Sequence, residues 1–301
     1  MTTIQDLLQK IHKGDTRSLA RAITIVENEL EGASELLSSL DLENAAPIIG
    51  ITGPPGAGKS TLISALITHL TSEGKKIAVI AVDPTSPFNF GSLLGDRLRM
   101  SEHFTNPNVF IRSLATRGSL GGLSAKAIEV SDVVRAAGFD LVIIETVGVG
   151  QSEVEIAGLA DTTILVLVPE SGDEIQALKS GIMEIADIYV INKSDRPGAN
   201  TFIKNIQSLI QHREGTDWIP KIIKTVATKN EGAEELYNVI LEHQQEKNTN
   251  SRKAFLYAEK VWRLIQRGRM KNINRIELQR EIENEIENKN FQLYKFAKKF
   301  L

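Results

Sequence analysis

The chain has 301 residues, 42% of them hydrophobic, enough for one large or two modest domains with a sizeable core. Its 35 basic and 38 acidic residues leave a formal charge of -3, which argues against a general nucleic-acid binder. With no cysteine, disulfides, thiolate zinc sites, iron–sulfur clusters and cysteine nucleophiles are excluded.

The N-terminus, MTTIQDLLQKIHKGD, carries no apolar run of signal-peptide length and lacks the Arg/Ser-rich, acid-poor pattern of a transit peptide. No stretch approaches the roughly 20 apolar residues of a membrane span, so a cytoplasmic protein with no membrane partner is expected. Residues 1 to about 45 read as a helical extension. Leu19, Ala20, Ile23 and Val26 fall at helical spacing, and Asp15 or Thr16 is placed to cap that helix. Leu30, Leu36, Leu37 and Leu40 continue the apolar pattern towards Pro47.

From about 46 to 245, short apolar runs alternate with amphipathic segments. The runs are PIIGITG (47–53), KIAVIAVD (76–83), NVFIRSLA (108–115), FDLVIIET (139–146), TTILVLVP (162–169), DIYVINK (187–193) and KIIKTVA (221–227). They are rich in Ile and Val and apolar on both faces, as strands buried between helix layers should be. The alternation predicts an α/β fold with a mostly parallel, doubly wound sheet, whose ligands bind outside the carboxyl ends of the strands. The segment from about 246 to 301 is polar, net basic and rich in Asn and Glu, with Leu278, Ile282 and Ile286 on one helical stripe. It reads either as an amphipathic helix folded onto its own domain or as an arm that pairs with a second subunit.

Gly53-Pro54-Pro55-Gly56-Ala57-Gly58-Lys59-Ser60 has the spacing of a P-loop and is followed by Thr61 and an amphipathic helix. A buried strand before it and a helix after it are the context that the motif needs. Its glycines let backbone N–H groups converge on phosphate oxygens, and the helix N-terminus adds partial positive charge. Lys59 is expected to bridge the β- and γ-phosphates, and the Ser60 hydroxyl to ligate magnesium.

Acidic residues stand at strand ends on the same face. Asp83 ends the second run, where a turn role before Pro-Thr-Ser-Pro is the alternative, and Asp96 follows in FGSLLGDRLRM. Glu145-Thr146-Val147-Gly148 resembles the D-x-x-G segment of GTPases, with Glu in place of Asp. The longer carboxylate is expected to reach magnesium through a water, and Gly148 to offer its N–H to the γ-phosphate. Gln151 is a candidate to orient water, or simply a polar residue that starts a helix. Spacing assigns no arginine finger; Arg97, Arg99, Arg112 and Arg117 are candidates. Intrinsic hydrolysis is therefore expected to be slow, on the order of 10⁻⁴ to 10⁻² per second.

Asn192-Lys193-Ser194-Asp195 follows the sixth run and resembles the N-K-x-D guanine signature. The Asp195 carboxylate can accept from both N1–H and the exocyclic amine of guanine, a donor pair that adenine lacks. The Lys193 stem can lie over the base face, and Val226-Ala227 stand where GTPases offer backbone N–H to the guanine carbonyl.

Together GITGPPGAGKSTL, AVDPTSPFNFGSLLGDRLRM, FIRSLATRGSLGGLS, DLVIIETVGVGQSE and INKSD resemble the MeaB/ArgK family of GTPases, from about residue 14 to 245. The resemblance implies a SIMIBI-type P-loop domain with helical extensions at both ends, and a homodimer. It implies GTP and GDP as ligands, Mg2+ as cofactor, and an adenosylcobalamin-dependent acyl-CoA mutase, methylmalonyl-CoA mutase above all, as partner. Asp83, Asp96 and Glu145 match the family's acids around magnesium and the attacking water. Val168 to Lys179, VPESGDEIQALK, matches an additional switch that relays nucleotide state, with Lys179 as its functional lysine. Thr228-Lys229 and the Asn-, Lys- and Glu-rich tail depart from the family pattern.

Three other readings remain open. A nickel-insertion GTPase usually carries His or Cys clusters, whereas His12, His69, His103, His212 and His243 are scattered without ligand spacing. A small-molecule kinase needs a base to activate an acceptor, a role Asp83 is also placed to fill. A pure binding module would have little use for the full set of magnesium and water residues.

Overall fold

A computed structural model describes residues 3–83, 100–115, 125–146, 156–170, 182–210, 218–246, 250–270, 272–288 and 290–300. All seven apolar runs form strands: β1 (Ile48–Thr52), β2 (Ile77–Asp83), β3 (Val109–Ala115), β4 (Leu141–Thr146), β5 (Thr162–Leu167), β6 (Ile188–Ile191) and β7 (Lys221–Lys224). They build one parallel sheet in the order β3-β2-β4-β1-β5-β6-β7. From β1 the chain goes out to β2 and β3 at one edge, returns as β4 between β2 and β1, then crosses to β5 and builds the other way. The carboxyl end of β1 is thus the switch point at which such sheets bind ligands.

The helices are α1 (Ile4–His12), α2 (Thr16–Glu27), α3 (Ala33–Ser38), α4 (Lys59–Ser72), α5 (Ala125–Arg135), α6 (Ile182–Ile185), α7 (Ala199–Ile210), α8 (Ala233–Glu246), α9 (Asn250–Met270), α10 (Arg275–Glu287) and α11 (Leu293–Ala297). Alternate side chains of β1 serve opposite faces. Ile49 and Ile51 pack with Leu62, Ile63 and Leu66 of α4 and with Leu236 and Ile240 of α8. Ile48 packs on the other face, where Leu7, Leu19, Ile23, Val26 and Leu36 from α1 to α3 meet Ala78, Ile80, Val142 and Ile144. The N-terminal helices therefore cover one side of the sheet rather than stand apart from it. Phe202, Ile203, Ile206 and Ile210 of α7 cover Leu165, Leu167, Tyr189 and Ile191.

Of the two cap candidates for α2, Asp15 is the one used. Its Oδ1 accepts from Arg17 N–H at 3.1 Å and its Oδ2 from Ser18 Oγ at 2.6 Å. The Ser18 hydroxyl, the larger influence, holds the Asp15 carboxyl below its ordinary range. Strand β7 departs from the expectation of runs apolar on both faces. It is an edge strand bounded by exposed Lys221 and Lys224, charges that discourage further strand pairing.

The chain divides into two compact units, Met1–Leu256 and Tyr257–Leu301. Within the second, Phe296 is buried between Phe291 and Phe300, with ring centroids 5.8 and 5.5 Å away. Lys299 Nζ sits 4.7 Å from the Phe296 ring and donates to Glu285 Oε1 at 2.6 Å, so α11 is fastened to α10. Leu278 and Ile282 of the α10 stripe are half-buried, whereas Ile286 is exposed. Among the described residues no helix is long and apolar enough to cross a membrane.

Gly50, inside β1, lies against the turn at Ile156–Gly158. A Cβ there would stand 2.7 Å from Ile156 Cγ1 and 2.9 Å from Ala160 Cβ. Gly50→Val is expected to lower the free energy of unfolding by about 1–3 kcal/mol through overpacking. Urea denaturation of the two proteins side by side measures this.

Candidate nucleotide-binding site

The segment from Gly53 to Gly58 links β1 to α4 and turns through three positive-φ glycines, at +141° for Gly53, +78° for Gly56 and +86° for Gly58. Two of them also need the missing side chain. A Cβ on Gly53 would stand 2.2 Å from Val166 O, and one on Gly58 would stand 2.4 Å from Asn192 Nδ2. Gly58 makes no side-chain cap at α4, so the first-turn N–H groups of the helix are not covered by a capping side chain. This is the donor arrangement that holds phosphate. Lys59 is buried, and its Nζ donates to Gly53 O at 2.8 Å and Pro54 O at 3.2 Å. The ammonium therefore lies across the mouth of its own loop.

Ser60 Oγ donates to Glu145 Oε1 at 2.7 Å, and both residues are buried. The parallel register that sets Ile51 opposite Glu145 brings the two together. One residue on, Thr146 Oγ1 donates to Thr52 Oγ1 at 3.1 Å, which fixes the ends of β4 and β1 to each other. Asp83 is the last residue of β2, in register with Ala115; its side chain lies outside the described residues. Asp96, Gly148, Gln151, Lys179, Arg97, Arg99 and Arg117 also lie outside them. Arg112, on β3, is paired with Glu27 of α2 at 3.0 Å.

The loop after β6 reaches back to the phosphate loop. Asn192 is buried, and its Nδ2 donates to Ala57 O at 2.9 Å. Its Oδ1 accepts from Thr225 Oγ1 at 3.1 Å and from Ala227 N–H at 3.2 Å. Lys193 takes a left-handed φ of +55°, rare outside glycine, and its Nζ donates to Gly56 O at 2.9 Å. Ser194 N–H donates to Thr225 O at 3.1 Å, so the loops after β6 and β7 are joined. Asp195 is half-exposed, with Lys229 Nζ 3.7 Å from its Oδ2. Arg196 pairs with Glu170, and its guanidinium holds that carboxyl below the usual range.

The loops after β1 and β6 and the end of β4 thus converge on one crevice. The amides expected to meet the base are engaged in this structure: Val226 N–H with Glu231 O at 3.1 Å, and Ala227 N–H with Asn192. The sequence did not point to Thr225, and it marked Lys229 only as a departure from the family pattern, without its pairing to Asp195. Thr225 lies within the apolar run KIIKTVA, just before the expected Val226-Ala227, which was its only signal. Nor did it anticipate Ser64, one turn after Ser60, whose Oγ bonds His103 Nε2 at 2.8 Å and also donates to Glu102.

The family model described as methylmalonyl Co-A mutase-associated GTPase MeaB matches residues 19–277. The chain belongs to the MeaB family. A MeaB-like relative from Pyrococcus abyssi, named as a GTPase, is 50% identical over 247 residues, or 80% of this chain and 76% of its own. The mouse protein named methylmalonic aciduria type A homolog, mitochondrial, is 39% identical over 254 residues, or 78% of this chain and 61% of its own. The crystal structure of an LAO/AO transport system kinase superposes with a TM-score of 0.68 at 25% identity, covering 99% of this chain and 96% of that one. As a MeaB protein, the chain is a GTPase: it binds guanine nucleotide and hydrolyses GTP.

In this MeaB protein, Asp195→Asn is expected to shift preference from GTP towards xanthosine triphosphate by about tenfold or more. The new amide oxygen still accepts from N1–H, while its NH2 donates to the C2 carbonyl of xanthine but meets the C2 amine of guanine donor against donor. Competition between the two triphosphates for each variant checks this.

Proposed function

We propose that this MeaB-family GTPase gates an adenosylcobalamin-dependent acyl-CoA mutase, with methylmalonyl-CoA mutase the foremost candidate, and that GTP hydrolysis times its hold on that partner. The carrying observation is the mutase-associated family match across residues 19–277. The name of the mouse relative points the same way. Exposed Tyr257, Val261, Leu264 and Ile265, spaced along one side of α9, support an arm that pairs with a second copy in a homodimer.

The chain's own residues supply the steps. The loop from Gly53 to Thr61 holds the phosphates on main-chain N–H groups, and Lys59 exchanges the Gly53 and Pro54 carbonyls for β- and γ-phosphate oxygens. Asn192 keeps the base loop at a fixed distance from the phosphate loop, and Asp195 reads the base. A buried hydroxyl beside a buried carboxylate is an all-oxygen donor pair that suits a hard cation, so Ser60 and Glu145 fit magnesium, with Asp83 and Asp96 completing the set. Magnesium bound there neutralises charge on the β- and γ-phosphate oxygens. Asp83 positions water in line with the γ-phosphorus. The water oxygen bonds to phosphorus, the bond to the β–γ bridging oxygen breaks, and the water protons leave with phosphate and solvent. Release of the γ-phosphate frees the loop around Asp96 and the Glu145–Gly150 segment, and the stretch from Val168 to Lys179 reports this to the mutase.

Lys59→Ala is expected to cut GTP turnover by about a hundredfold or more, with the fold intact by circular dichroism. Lys179→Ala is expected to leave GTP affinity unchanged while turnover no longer rises when purified mutase is added. Phosphate release with and without the mutase tests the whole reading: a rise with wild type supports it, and no nucleotide-dependent effect or complex overturns it. Labelled γ-phosphate recovered on arginine or ornithine would instead identify a kinase.

A further inference from the structure

Among the described residues, three cations with recorded contacts lie on or beside the loop that carries Asp195, and two of them are committed elsewhere. Lys193 Nζ donates to Gly56 O, and Arg196 pairs with Glu170. Lys229 is the one that faces the Asp195 carboxylate.

Its position is set by the backbone. Lys229 ends the turn at Ala227–Lys229, and its N–H donates to Val226 O at 2.8 Å. Ala227 N–H is tied to Asn192, and Ser194 N–H to Thr225 O. Asn230 closes the turn with a left-handed φ of +58°. Asp195 and Lys229 thus sit on two loops fastened to each other, and the ion pair is not a chance meeting of two free side chains.

The separation is informative as well. At 3.7 Å, Lys229 Nζ is within ion-pair range of Oδ2 but beyond hydrogen-bond range. It attracts the carboxylate without occupying the lone pairs that two guanine donors require. We propose that Lys229 is a specificity-determining positioning residue, which holds both Asp195 oxygens towards the base so that guanine is read at two points. The proposal rests on the assignment of Asp195 as the base-reading carboxylate.

The test compares binding of GDP and inosine diphosphate, which lacks the exocyclic amine, to wild type, Lys229→Met and Lys229→Arg. An exposed pair of this kind has a small effect, so Lys229→Met is expected to weaken GDP binding by about two- to fivefold. IDP binding should change less, so the GDP-to-IDP preference falls, and Lys229→Arg should restore it. Raising salt should bring wild type towards Lys229→Met. In an Asp195→Asn background, Lys229→Met should leave the affinity for xanthosine diphosphate unchanged. Unaltered GDP affinity in Lys229→Met, or an equal loss in the Asp195→Asn background, overturns the proposal. Wild type that binds ADP as tightly as GDP would instead remove Asp195 as the base reader, whatever Lys229 does.

Discussion

The side-chain amide of Asn192 is the constraint on which the crevice depends. One end donates to Ala57 O in the phosphate loop, and the other accepts from Thr225 and Ala227 beyond β7. A buried amide can satisfy all of these only if the three loops keep one spacing. The amide therefore acts as a ruler between the loop after β1 and the loops after β6 and β7. Gly58 is part of the same constraint, since a side chain there would collide with Asn192.

The sheet supplies the frame for that ruler. Strands β1, β4, β5 and β6 are buried along their whole length, so their registers are fixed by packing on two faces. The pairing of Ile51 with Glu145 delivers the carboxylate to Ser60. The Thr52–Thr146 bond at the strand ends prevents the two loops from drifting apart. The placement of these side chains is thus inherited from the packing of the sheet.

Much of this was legible in the amino-acid sequence, for identifiable reasons. Strands covered on both faces must be continuous apolar runs, and all seven stood out, including β7 despite its lysine ends. The phosphate loop was legible because its glycines are dictated by local backbone geometry. The helical stripe of α2 was visible, but not its partner, because Leu19 and Ile23 meet the sheet only after long-range folding. Asn192 showed up as part of a motif, whereas its hold on Ala57 crosses 135 positions of chain. The pairing of Asp195 with Lys229 joins two loops by a single ionic contact, and no periodicity or spacing encodes that.

The bonds from Lys59 to the carbonyls of Gly53 and Pro54 join the first residue of α4 to the start of the loop that precedes it. The loop is closed on itself like a clasp, and its shape is kept by its own chain rather than by a neighbouring element. Shortening that side chain therefore removes a structural tie as well as a charge, and leaves two carbonyls to find other donors.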